Sequence, residues 1–108
     1  MSLHEACKAS AVPAGEALRV VIDEREICIA RTEDGTVHAI DDLCTHGEVS
    51  LAEGEISGCS IECWLHGSAF SLTTGQPLTP PAFEPVAVYP CEERDGAIFV
   101  DLSPAAAT

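Results

Sequence analysis

The chain has 108 residues, 18 of them acidic against five basic, for a formal charge of −13. This length is one domain's worth, exposing about 5,700 Å² when folded, and it leaves no room for a second catalytic domain, a doubly wound sheet or a large substrate tunnel. The charge repels nucleic-acid phosphates and anionic lipid, while a hydrophobic share of 46% argues for a packed core rather than disorder. In chain order, Met1 to Glu5 lacks the basic region and apolar core of an export signal. Ala11-Val12-Pro13-Ala14-Gly15 reads as a loop or one short turn. Leu18 to Ile22 is a predicted strand with β-branched enrichment. The next strand puts Ile27, Ile29 and Arg31 on one face and Cys28 and Ala30 on the other. Glu33-Asp34-Gly35-Thr36 is a tight turn, because Asp-Gly tolerates positive φ, and Val37 to Ile40 returns antiparallel. Residues 43–83 carry glycine and proline, with one predicted strand pair at Gly58 to Glu62 and Ser68 to Leu72 and a turn at Thr73-Thr74-Gly75. Val86 to Cys91, a turn at Arg94-Asp95-Gly96 and Ala97 to Leu102 repeat the hairpin design. Val86, Val88, Ile98 and Val100 are its expected core. The tail from Ser103 is expected to fray. No apolar run approaches the ~18 residues of a membrane span, and no lipidation motif ends the chain.

The chemistry is concentrated in Cys44-Thr45-His46-Gly47 and Cys63-Trp64-Leu65-His66-Gly67. Each half supplies one thiolate and one imidazole. Two such loops facing one another bring four ligands together. They suit zinc, or they divide between two irons, both cysteines on one and both histidines on the other; the ligand set alone does not decide. The remaining cysteines, Cys7, Cys28, Cys59 and Cys91, are expected to be unbridged thiols in a reducing cytoplasm. His4 and His38 lie outside the motif and suit surface or strand positions. Phe70 and Phe83 suit the core. Carboxylate pairs at Asp41-Asp42 and Glu92-Glu93 come with neither a nucleophile nor a pocket pattern, so hydrolase chemistry has no support.

The pattern Cys-x-His, an interval, then Cys-x-x-His, with glycine after each histidine, resembles the Rieske family. The similarity extends over nearly the whole chain, through Ser50-Leu51-Ala52-Glu53-Gly54, Ile61-Glu62-Cys63, His66-Gly67-Ser68-Ala69-Phe70 and Thr74-Gly75. It is greatest to the small ferredoxins of bacterial aromatic-ring-hydroxylating dioxygenase systems. The resemblance implies an all-β Rieske iron-sulfur fold. A β-sandwich-like base at about 1–42 and 84–108 would carry an inserted cluster-binding subdomain at about 43–83. It implies one [2Fe-2S] cluster per chain, with Cys44 and Cys63 on the inner iron and His46 and His66 on the outer iron near solvent. Ser68 would lie beside the cluster, and Pro80 and Pro81 would belong to a covering loop. High-potential members carry a disulfide where this chain has Val49 and Leu65, and a tyrosine where it has Phe70. The expected potential therefore lies toward the bottom of the ~−150 to +300 mV Rieske range.

By the same resemblance, the protein has no catalytic residues of its own. The charge and the lack of an export signal suit a cytoplasmic monomer that binds neither nucleic acid nor membrane. By the resemblance it would pass single electrons from an NAD(P)H-dependent flavoprotein reductase to a terminal Rieske non-haem iron oxygenase in aromatic hydrocarbon catabolism. Glu48, Glu53 and Glu55, close to His46 in the sequence, form a candidate docking patch for a basic partner, the sign following from the net charge. Two other readings remain open at the level of sequence: an accessory protein of iron-sulfur cluster assembly or delivery, and the small subunit of a nitrite-reductase-like enzyme.

Overall fold

The computed structural model describes residues 3–42, 50–63, 69–78 and 86–101. Among them ten short strands form three antiparallel sheets. The central sheet runs, side by side, β2 (Glu16–Ile22), β3 (Arg25–Arg31), β4 (Val37–Asp41) and β8 (Val88–Tyr89). One outer sheet has the order β1 (Leu3–Lys8), β10 (Ala97–Asp101), β9 (Cys91–Arg94). The other is a meander of three-residue strands, β5 (Glu55–Ser57), β6 (Ser60–Glu62) and β7 (Ala69–Ser71). The accessible surface, 5758 Å², matches what the chain length demands. Among the described residues no helix is long and apolar enough to cross a membrane.

Strand β3 explains the layering. Its side chains alternate as the sequence suggests, yet both faces are covered, and Ile27, Cys28, Ile29 and Ala30 are all fully buried. Ile27 and Ile29 pack with Val12, Ala39, Tyr89, Ile98 and Val100, joining the central sheet to the β1-β10-β9 sheet. Cys28 and Ala30 pack with Ile40, Leu51, Ile61, Cys63, Phe70, Leu72 and Val86, joining it to the small meander. A strand with apolar residues at consecutive positions suits a sheet that is covered on both faces. Arg31 closes the end of this strand. Its Nε donates to the Val12 carbonyl at 2.6 Å, and Nη1 pairs with Glu93 Oε1 at 3.0 Å. The Arg side chain thus ties the central sheet to the loop after β1 and to β9.

The expected single strand from Val86 to Cys91 is split at Pro90, which has no N–H to give to a ladder. Before the proline, β8 pairs with β4 through Ala39↔Tyr89 and Ile40↔Val88. After it, β9 crosses to the other sheet and pairs with β10. Val86, Ile98 and Val100 are buried as expected, whereas Val88 is only partly covered. The short turn after β1 is a 3-10 turn at Ala9–Ala11. Strand β1 carries no alternation that marks it in sequence. It forms by pairing with β10 across an irregularity between Glu5 and Cys7.

Candidate metal centre

The site-bearing segments begin and end on residues whose placement the sequence explains. Asp42 follows β4. Its carbonyl accepts from Leu51 N at 2.6 Å, and its Oδ1 accepts from Ala52 N at 2.9 Å. These bonds close the stem on either side of residues 43–49 and seat Leu51–Glu53 as a 3-10 turn. Gly54 ends that turn where no larger residue fits, since an added Cβ would lie 1.7 Å from the Glu62 carbonyl oxygen. The next stem is the β6–β7 hairpin, in which Glu62 pairs with Ala69 on either side of residues 63–68. Ala69 in turn accepts from Leu78 N at 2.6 Å, and Val86 N donates to the Gly75 carbonyl at 2.9 Å. The stems of 43–49, 64–68 and 79–85 therefore gather at one end of the small meander.

Cys63 lies at this gathering point, directly after β6. It is fully buried among Leu51, Ile61, Phe70 and Leu72. Burial in such surroundings disfavours a bare thiolate and suits one whose charge is neutralised by a metal. Cys44, His46, His66 and Ser68 lie outside the described residues, as do Glu48, Val49, Trp64, Leu65, Pro80, Pro81 and Phe83. Connectivity still limits the reach of the other donors. Two peptide units separate Asp42 from Cys44 and three separate Cys63 from His66, each spanning about 3.8 Å. The donor set of two thiols and two imidazoles on adjoining stems fits a mixed cysteine and histidine iron-sulfur centre. Among the described residues no group of three or more metal-ligating side chains comes together, so no rival centre competes with it there.

Cys28 is fully buried, and burial, with Asp42 as the lesser cause, pushes its thiol up. Burial pushes the Cys91 thiol up to about 11. Cys7, Cys28, Cys59 and Cys91 form no disulfide, as expected. His38 faces a shallow groove lined by Thr32, Asp34, Gly58 and Cys59, with its Nε2 3.9 Å from Cys59 Sγ. Burial holds its imidazole below the usual histidine range. This groove sits at the opposite ends of β4 and β6 from Asp42 and Cys63, so it is not part of the metal centre. His4 contacts Asp23 at 3.9 Å on the surface. Glu53 and Glu55 are exposed, and Phe70 is core.

Sequence reasoning passed over Arg19 and Asp42. Asp42 was visible only as half of an acidic pair. The available signal was its position, between the alternating strand β4 and the first ligand motif.

The comparisons agree with this geometry. The Rieske [2Fe-2S] domain profile matches residues 2–90. The biphenyl dioxygenase ferredoxin subunit of Pseudomonas sp. (strain KKS102) is 42% identical over 107 residues, covering 98% of this chain and 97% of that protein. The solved structure of Sphingomonas yanoikuyae B1 ferredoxin superposes with a TM-score of 0.86 at 32% identity, covering 93% of this chain and 98% of the other. A chain from the complex of reduced oxygenase and oxidised ferredoxin in carbazole 1,9a-dioxygenase gives 0.82 at 35% identity, with 91% of each chain covered.

Proposed function

The chain belongs to the Rieske [2Fe-2S] family, and we propose that it is the ferredoxin of an aromatic-ring dioxygenase system, a one-electron carrier rather than an enzyme. The observation that carries this reading is the nearly end-to-end likeness to a dioxygenase ferredoxin subunit. When bound, the cluster supplies a one-electron couple. Cys44 and Cys63 would hold its inner iron as thiolates, and His46 and His66 its outer iron as imidazoles, with Ser68 adjacent. Residues of about 43–83 would form the cluster-binding subdomain on a base of about 1–42 and 84–108. The buried Cys63 and its apolar neighbours support this assignment, because they exclude water from one side of the centre. With two ferric ions, two sulfides and two thiolates the oxidised centre would carry zero formal charge, and one electron would add a single negative charge. A terminal oxygenase is the electron acceptor, and a ferredoxin bound to an oxygenase in a related system supports that choice. A flavoprotein reductase oxidising NAD(P)H in the cytoplasm is the proposed donor, and the carrier works as a monomer.

Reconstitution tests the reading against cluster delivery. With NADH, a flavoprotein reductase and a terminal oxygenase, the visible absorbance is expected to bleach and recover over many turnovers while iron stays with the chain. Quantitative movement of iron and sulfide to an apo-acceptor, without steady electron flow, would favour the assembly role instead.

A further inference from the structure

Asp42 is fully buried, and its two carboxylate oxygens are treated differently. Oδ1 accepts from Ala52 N, while Oδ2 is buried and accepts no hydrogen bond. Its nearest cation is Arg19, whose Nε lies 3.5 Å from Oδ2. The same guanidinium reaches Glu26 Oε2 at 3.4 Å with Nη2. The main chain of Asp42 is also fully engaged: its N–H donates to the Glu26 carbonyl at 3.0 Å and its own carbonyl accepts from Leu51 N. Holding the stem closed needs only the carbonyl and Oδ1, and an asparagine would supply both. The fold instead keeps a buried carboxyl side chain there, with an Arg beside it, two residues before Cys44. Keeping a carboxylate in an apolar interior costs desolvation that pairing only partly offsets, a cost a neutral asparagine would not carry.

We propose that Asp42 is a positioning residue toward the cluster with two separable roles. Its carbonyl and Oδ1 fix the stem of residues 43–49, and its charge, offset by Arg19, holds the reduction potential down. The second role follows from sign. Reduction adds a negative charge to the centre, so a fixed carboxylate nearby opposes it and a fixed guanidinium favours it. This inference rests on the electron-carrier reading, since it presupposes a redox-active cluster on Cys44.

Voltammetry at about pH 8, with iron content measured on the same samples, tests it. D42N keeps an oxygen for Ala52 N, so it is expected to retain iron while its potential rises. R19Q is expected to retain iron while its potential falls. Each shift should change the redox equilibrium by roughly threefold to tenfold, tenfold being about 59 mV for one electron. D42A, which also loses the Oδ1 bond, is expected to lose iron. A D42N potential equal to that of the wild type overturns the proposal, as does an R19Q potential that is unchanged or higher. If D42N does not fold, R19Q decides alone, because the Arg19 side chain is 45% exposed and a glutamine there still carries an N–H donor for the Asp42 carboxylate. Wild-type protein that holds no cluster would instead sink the carrier reading, an outcome separate from these shifts.

Discussion

Residue-scale choices show where local chemistry and the fold agree and where they conflict. The Asp95-Gly96 turn between β9 and β10 has positive φ at both residues, 53° and 80°, as a two-residue hairpin demands. The turn between β2 and β3 has the same form but is made by Asp23 and Glu24, at φ of 52° and 68°. Aspartate tolerates that region and glutamate has no device for it. Glu24→Gly is therefore expected to stabilise the protein by about 0.5 kcal/mol, the relief of strain exceeding the entropy lost by glycine. Urea denaturation of the two proteins checks this, and a destabilised variant would show that Glu24 is not strained. The contrast also marks what was readable. Asp34-Gly35 and Asp95-Gly96 announce turns, and the Cys-x-His and Cys-x-x-His spacing announces a metal centre. Asp23-Glu24 announces nothing, because its conformation is imposed by the register Ile22↔Arg25. Asp41 and Asp42 look alike in sequence but have opposite fates. Asp41 accepts the Tyr89 hydroxyl at 2.5 Å, whereas Asp42 is sealed in the stem beside the first ligand motif.

At the scale of elements, the strands with strong alternation were legible and the pairings imposed by distant partners were not. Strands β2, β3, β4 and β10 follow from their apolar spacing, and Pro90, lacking an N–H, marks the break between β8 and β9. Strands β1 and β5 were not legible, since a six-residue and a three-residue segment form only because β10 and β6 offer them an edge. The short β8 has the opposite problem, pairing with β4 over two register positions. The Tyr89–Asp41 hydrogen bond reinforces it. Burial first, and the Asp41 carboxylate second, push the Tyr89 hydroxyl up to about 12 from an ordinary value of 10.0. The folded value lies above the unfolded one, so this stabilisation is complete below about pH 10 and is lost as pH rises toward about 12. Tyr89→Phe is expected to cost about 1 kcal/mol at neutral pH and to flatten the alkaline loss of stability. Denaturation series at neutral and alkaline pH check both, and equal alkaline slopes would remove Tyr89 from the account. Part of the slope should survive, because burial also pushes Cys91 up to about 11.

For the whole molecule, the fold is a scaffold that brings three stems to one end. The central sheet is covered on both faces, one cluster of buried residues binding it to the terminal strands and the other to the meander that carries Cys63. This division gives the meander a firm base, so the residues flanking 43–49, 64–68 and 79–85 are fixed by strand pairing and by the Asp42, Gly54 and Gly75 contacts. The net charge of −13 acts over the entire surface and sets the sign of any long-range attraction, favouring a basic partner. The groove beside His38 and Cys59 lies away from the stems. The central claim is the identity of the metal centre, and metal analysis with spin-resonance spectroscopy of the reduced protein tests it most directly. Protein made under iron-replete, anaerobic conditions is expected to hold two irons and two acid-labile sulfides per chain, with a spin signal characteristic of mixed cysteine and histidine ligation. Stoichiometric zinc, with no sulfide and no such signal, would contradict the account.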